Sequence, residues 1–265
     1  MSTFFEKIND LDILLHCDGY EREYFFAECS RLAYKGQKLA SKEFKKVGFT
    51  SYKFCSVEGA QCHIVKNRDY IVIAFRGTEP RQFSDIKADL MAWKRKSRTE
   101  GHVHAGFKNE LDKLWADIKM GLSRKGDRTI FLCGHSLGGA IATVCASRLE
   151  KDVEELYTYG SPRVGGDIFR DNLLVDHCRV VNNNDMVAKV PFWFMGYRHH
   201  GYLTYINHYG NIRELTSWQK LKDQIRGRWC ALRKFQMFDG IRDHDINKYC
   251  KKLKSLVKIE PTFVE

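Results

Sequence analysis

The sequence predicts an α/β fold with a mainly parallel central sheet and helices on both faces. Three observations carry that prediction. From residue 107 to about 182, helical apolar periodicity alternates with short apolar, β-branched runs, the order that parallel βαβ units produce. One such run, Thr129 to Cys133, passes through Gly134-His135-Ser136-Leu137-Gly138 into an alanine-rich run, Ala140 to Leu149. No composition shift, repeat or proline-rich linker divides the 265 residues, so 1–265 is read as a single domain, large enough for a proper core.

The elements follow in chain order. Phe4 to Leu15 is a short apolar-periodic stretch. Tyr20 to Gln37 is expected as one long helix, with Tyr24, Ala27, Leu32 and Tyr34 turned inward. Lys35, Lys38, Lys42, Lys45 and Lys46 form a solvated basic face. Phe49–Val57, Ala60–Asn67 and Asp69–Phe75 are rich in apolar and β-branched residues and are separated by turn residues, so they are expected as three consecutive strands. Phe107 to Gly121 is a helix with Phe107, Leu111, Leu114, Trp115 and Ile118 on one face. The next strand leads into Ser136, and the helix beyond it is expected at Ala140–Leu149. A strand at Glu155–Tyr159, a helix at Ile168–Leu174 and a strand at Cys178–Val181 complete the alternation. Tyr202–Asn207 and Asn211–Leu215 suggest a hairpin, 218–235 a basic amphipathic helix, and Asp245–Leu256 a short closing helix.

Composition narrows the function. No apolar run reaches the roughly 18 residues of a spanning helix. The first ten residues carry acids where a signal peptide needs an apolar core, so synthesis in the cytoplasm is expected, with export by a route without a cleaved signal or peripheral membrane association left open. Nine scattered cysteines without a Cys-x-x-Cys pair suggest reduced, mostly buried thiols, neither a disulfide frame nor a zinc site. The net charge of +11 favours an anionic surface such as phospholipid. No nucleic-acid motif accompanies it, and no nucleic-acid partner is expected.

The chemistry starts at Ser136. A strand that bends sharply into a helix crowds the positions two before and two after the bend, which is why Gly134 and Gly138 stand there. The bend exposes the serine hydroxyl, and the helix behind it aims free N–H groups at any oxyanion formed there. Leu137 is therefore one oxyanion donor. Thr78, where Arg76-Gly77-Thr78-Glu79-Pro80 breaks the third strand, is the natural source of a second. A nucleophilic serine of this type is followed in the chain by an acid and then a histidine. Asp185 fits the acid, after a strand and a polar loop, with Asp167 and Asp176 as rivals. Four histidines follow it: His199, His200, His208 and His244. His244 lies in a late loop whose freedom suits a general base.

These blocks resemble the class 3 lipases, the family of the filamentous-fungal triacylglycerol lipases, over roughly residues 20 to 256. The matching pieces are Ala74-Phe75-Arg76-Gly77-Thr78, Ala88-Asp89-Leu90, Val103-His104-Ala105-Gly106-Phe107, Gly134 to Gly139, Tyr159 to Gly165, and Asn184-Asp185-Met186-Val187 through Pro191. The resemblance implies an α/β-hydrolase-like fold, with a lid segment after the strand that carries the first oxyanion residue. It implies Ser136 as nucleophile, Asp185 as acid, His244 as base, Thr78 and Leu137 as oxyanion donors, and Asp89 as the group that fixes the Thr78 hydroxyl. His208 matches the family's non-catalytic histidine. Residues 81–91 are the lid candidate, with Phe83, Ile86 and Leu90 as its apolar stripe.

The expected function is hydrolysis of lipid carboxylic esters by a lipase or phospholipase through an acyl-enzyme, without metal or cofactor. Two alternatives stand beside it: a soluble carboxylesterase or thioesterase, and an inactive membrane-surface binding protein on the same scaffold. Phe192-Trp193-Phe194-Met195 is expected as acyl-pocket lining or core.

Overall fold

The computed structural model describes residues 3–8, 11, 20–78, 94–212, 219 and 242–257. Its strands are β1 (Ser51–Val57), β2 (Ala60–Lys66), β3 (Tyr70–Phe75), β4 (Lys94–Lys96), β5 (His102–His104), β6 (Thr129–His135), β7 (Val153–Tyr159), β8 (Asp176–Asn182) and β9 (Tyr202–Ile206). Its helices are α1 (Glu21–Leu32), α2 (Gln37–Lys46), α3 (Ala105–Leu122), α4 (Leu137–Leu149), α5 (Asp167–Asp171) and α6 (Ile246–Leu256). Seven strands form one sheet in the order β1-β2-β3-β6-β7-β8-β9. The first two pairings are antiparallel, and every pairing from β3 to β9 is parallel. The middle strands, buried on both faces, therefore read as nearly continuous apolar runs: β3 is buried at every position.

Two apolar layers cover the sheet. On one face, Phe25, Phe26 and Leu32 of α1 pack with Val72, Phe131 and Tyr157, and Tyr249 and Leu253 of α6 join the same layer. Phe26 stacks on Tyr157 with ring centroids 4.3 Å apart. On the other face, Leu111, Leu114 and Ile118 of α3 and Ile141 and Val144 of α4 cover Ile71, Ile73, Ile130 and Leu132. Strand alternation divides β3 and β6 cleanly between the two layers.

The structure corrects several expectations. The long first helix stops at Leu32, and a second helix follows after Gly36. Its outer face carries the exposed Lys38, Lys42, Lys45 and Lys46, while Ala40 and Phe44 are buried. The many lysines hid this narrow apolar stripe. The helix at Ile168–Leu174 ends at Asp171. The helix after Ser136 begins at Leu137, before the alanines. Of the hairpin around Tyr209-Gly210 the described residues show the antiparallel bridge Ile206 to Ile212, and 213–215 lie outside them. Phe192, Trp193 and Phe194 are not core: they are 36%, 66% and 68% exposed. The lid candidate 81–91 with Asp89, and the helix 218–235 except Gln219, lie outside the described residues.

Seven described cysteines are free, buried thiols. No described helix is long and apolar enough to cross a membrane. Among the described residues no group of three or more His, Cys, Asp or Glu side chains is placed to hold a metal.

Candidate active site

Ser136 sits between β6 and α4 with φ 59° and ψ −130°, a backbone conformation that a residue with a side chain holds only under restraint. The restraint comes from how closely the surrounding backbone packs. A Cβ at Gly134 would strike the backbone of Gly138, and one at Gly138 would strike the carbonyl of Phe75. The two glycines let α4 start directly against β6 and β3. The Ser136 N–H donates to the Tyr159 carbonyl at 3.0 Å, anchoring the bend to β7.

The oxyanion side is built from the same contacts. Leu137 opens α4, where the first-turn N–H groups have no acceptor within the helix. Gly77 lies against this corner: a Cβ there would come within 3.2 Å of the Ser136 Cβ. That contact places the Thr78 segment beside Ser136.

Asp185 follows β8 and is fully buried. The His244 Nδ1–H meets both its carboxylate oxygens, at 3.0 and 2.9 Å. The Val187 N–H donates to Oδ1 at 2.9 Å, and the Tyr249 hydroxyl donates to Oδ2 at 2.5 Å. These donors stabilise a buried carboxylate, which would be costly if left unpaired. A proton fixed on His244 Nδ1 leaves the lone pair on Nε2, the tautomer that a base acting on a hydroxyl needs. Of the rival acids, Asp167 is exposed and pairs with Arg170 and Arg198, while Asp176 is exposed at the start of β8.

The other histidines are engaged elsewhere. His199 Nε2–H donates to the Ala188 carbonyl at 2.8 Å. His200 lies 3.2 Å from His177, nitrogen to nitrogen. His208 occupies a turn beside Tyr209.

Reading the sequence missed the groups that position His244. The Asp243 carboxylate accepts from Asn183 Nδ2 at 3.0 Å and from the Asn184 N–H at 3.3 Å, and its carbonyl accepts from Asn182 Nδ2 at 2.8 Å. What looked like an ordinary polar loop, Asn182 to Asp185, thus grips the turn that carries His244. Asp245 then caps α6 by accepting from the Asn247 N–H. This cap sets Tyr249 over Asp185. His135 adds a further tie. Its Nε2–H donates to the His244 carbonyl at 2.6 Å, so its Nδ1 accepts from the Tyr34 hydroxyl at 2.8 Å. Burial, followed by the neighbouring His244, pulls the His135 imidazole well below its usual value, and the ring is neutral at pH 7. The one available signal was spacing: an Asp cap directly after the histidine and a Tyr one turn later.

The profile of the family Lipase (class 3) matches residues 72–195. The secreted mono- and diacylglycerol lipase 1 of Fusarium solani is 42% identical over 106 residues, 37% of this chain and 32% of that protein. The toxin TseL of Vibrio cholerae is 29% identical over 184 residues, 52% of this chain and 28% of the toxin. The chain spans about a third of the length of the curated relatives it matches. Among solved structures, the Rhizomucor miehei lipase propeptide complex superposes with a TM-score of 0.61 at 20% identity, covering 71% of this chain and 68% of that one, a likeness of fold. The matched segment, somewhat less than half of the chain, runs from β3 through the serine corner to Asp185 and beyond, and over it the chain is similar to the class 3 lipases.

Proposed function

We propose that the protein is a serine hydrolase that cleaves carboxylic esters of lipids through an acyl-enzyme. The observation that carries the reading is the buried Asp185–His244 pair, joined through His135 to the strained corner at Ser136. Ser136 Oγ attacks the acyl carbonyl while His244 Nε2 takes its proton. The N–H groups of Thr78 and Leu137 hold the tetrahedral oxyanion. The imidazolium, stabilised by Asp185, then protonates the departing alcohol. Water attacks the acyl-serine with His244 again as base, releasing the fatty acid and restoring the serine.

Labelling with a fluorophosphonate tests this assignment. Ser136 is modified in the parent, and both Ser136→Ala and His244→Ala lose labelling. Equal labelling of His244→Ala, with loss in His208→Ala, would overturn the choice of base.

The substrate presents itself at an anionic lipid surface. Trp193 and Phe194 stand exposed just beyond Asp185 and Pro191, with Phe192 stacked on Phe194 at 5.2 Å. Lys94 lies 4.8 Å from the Tyr197 ring beside them, and Arg198 donates to the Trp193 carbonyl. Exposed aromatic rings with a cationic rim suit the boundary between acyl chains and anionic headgroups. This observation favours a lipid ester over a soluble short-chain ester. Matched turnover of phosphatidylglycerol and trioleoylglycerol tests the headgroup preference, which fails if the neutral fat is preferred. The buried free thiols suit synthesis in a reducing compartment.

A further inference from the structure

The end of α1 reaches the proposed base through one intermediary. Tyr34 stands two residues beyond the helix, in a turn bonded back to it: the Tyr34 N–H donates to the Arg31 carbonyl at 3.3 Å and the Lys35 N–H to the Leu32 carbonyl at 2.8 Å. The Tyr34 ring leaves the helix for the serine corner, where it meets His135 edge-on with centroids 5.7 Å apart. The Arg76 guanidinium lies 5.9 Å from the Tyr34 centroid and is itself held by Gln61 Oε1 at 2.7 Å.

The phenol is wedged into this corner. A Cβ at Gly77 would collide with the Tyr34 hydroxyl and with the His135 carbonyl oxygen. The bare Cα of Gly77 lets both oxygens approach, and it closes that side of the hydroxyl.

The protons can be assigned from the acceptors. His135 Nε2 lies 2.6 Å from the His244 carbonyl oxygen, which can only accept, so Nε2 carries the proton. A neutral imidazole has one ring proton, and burial, followed by the neighbouring His244, keeps His135 neutral at pH 7. His135 Nδ1 therefore presents a lone pair, and the Tyr34 hydroxyl donates to it at 2.8 Å. The His135 carbonyl, at 3.5 Å, is the longer alternative for that hydroxyl. The bonds thus run one way, from the Tyr34 O–H to His135 and from the His135 N–H to His244, and each polarises the next. The His135 ring is 2% exposed and lies against the His244 ring at 4.4 Å between centroids, so neither ring tilts without moving the other.

We propose that Tyr34 is a positioning residue for His244 and acts through His135. The phenol orients the His135 ring, and the ring holds the His244 backbone where its Nδ1 meets Asp185. Its effect on turnover rests on the hydrolase reading, whereas the hydrogen-bond chain does not. Loss of the hydroxyl deprives a buried lone pair of this donor, and the ring turns to recover one, drawing its N–H away from the His244 carbonyl.

The test uses the full chain with isotope-labelled histidine. In the parent, nitrogen shifts should show His135 Nδ1 unprotonated and hydrogen-bonded, with the Nε2–H proton far downfield. In Tyr34→Phe that proton should move upfield and the Nδ1 shift should change. We expect kcat to fall about tenfold or more in Tyr34→Phe, with KM within about twofold, and fluorophosphonate labelling of Ser136 to slow in proportion. His135→Leu should fall at least as far, and adding Tyr34→Phe to it should cost little more, because the intermediary is gone. His135→Gln, whose amide N–H can donate to the same carbonyl, should recover part of the loss. A parent with the proton on Nδ1, equal turnover in Tyr34→Phe, or full additivity with His135→Leu overturns the proposal. A parent inert to esters and to fluorophosphonate overturns the hydrolase reading instead, and the positioning chain then stands or falls on the shifts of Tyr34→Phe. If Tyr34→Phe does not fold, the tautomer in the parent and the contrast between His135→Gln and His135→Leu decide.

Discussion

Tyr249 donates its hydroxyl to Asp185 Oδ2 at 2.5 Å, on the same carboxylate that holds the His244 ring. The same tyrosine oxygen accepts from the Asn182 N–H at 3.1 Å. One phenol thus links the strand that precedes the acid to the helix that follows the base.

Tyr249→Phe should therefore weaken both stability and turnover. A hydrogen bond to a charged acceptor contributes about 1.5–3 kcal/mol, and the Asn182 N–H loses its acceptor as well. Urea unfolding should show a loss in that range. We expect kcat to fall roughly tenfold, with KM nearly unchanged, because the imidazole is less firmly oriented. Unchanged kcat would mean that Tyr249 only supports the fold.

Gly160→Ala is a steric test of the same cluster. Gly160 has φ +55°, and a Cβ there would collide with Asp185 Oδ2, lie 2.8 Å from His244 Nδ1 and 3.0 Å from the Tyr249 hydroxyl. These groups are buried and cannot swing aside. Turnover should drop at least a hundredfold, about 2.7 kcal/mol in barrier, with the protein still folded at 25 °C. Near-parental turnover would show that the cluster is looser than its geometry implies.

His63 supplies a pH dependence. Burial, and then Arg76, lower its imidazole from 6.5 to about 4, and its Nδ1 meets the Tyr52 hydroxyl at 2.8 Å. As pH falls below 6.5, the unfolded chain takes up this proton before the folded one does. Stability from His63 is thus full above 6.5 and is lost as pH falls toward 4, by about 3 kcal/mol. His135, His177 and His199 shift in the same direction and steepen the fall. Denaturant unfolding from pH 7 to 4 should show it, and His63→Gln should flatten the curve by roughly that amount. A parent curve flat down to pH 5 would contradict the prediction.

Trp193→Ala addresses the lipid surface. The side chain is 66% exposed, so its removal should change stability by less than about 0.5 kcal/mol. Losing an indole from a lipid interface should weaken binding to phosphatidylglycerol vesicles by about tenfold or more. Cosedimentation measures this, and equal binding by parent and variant would remove the aromatic tip from the account.

Most strands of the main sheet and their parallel character were legible in the residues, because apolar β-branched runs alternate with helical stripes. Ser136 was legible because steric crowding forces glycine at fixed offsets around it. Asp185 was legible from its place after a strand. What escaped notice depends on contacts between distant segments. Nothing in Asn182-Asn183-Asn184 alone shows that Asp243 will grip it, and nothing in Tyr249 alone shows that its hydroxyl will meet a carboxylate. The helix Gln37–Lys46 escaped for a different reason: its charged face outnumbers its buried one.

Ser136 and Asp185, the proposed nucleophile and acid, follow directly on strands of the sheet, whereas His244, the proposed base, stands just ahead of α6, whose Tyr249 meets Asp185 and the Asn182 N–H. On the proposed function, rates of ester cleavage are therefore a gauge of whether that terminal helix is seated. A variant can keep a full circular dichroism spectrum and still be silent in an assay, simply because α6 has come loose from α1.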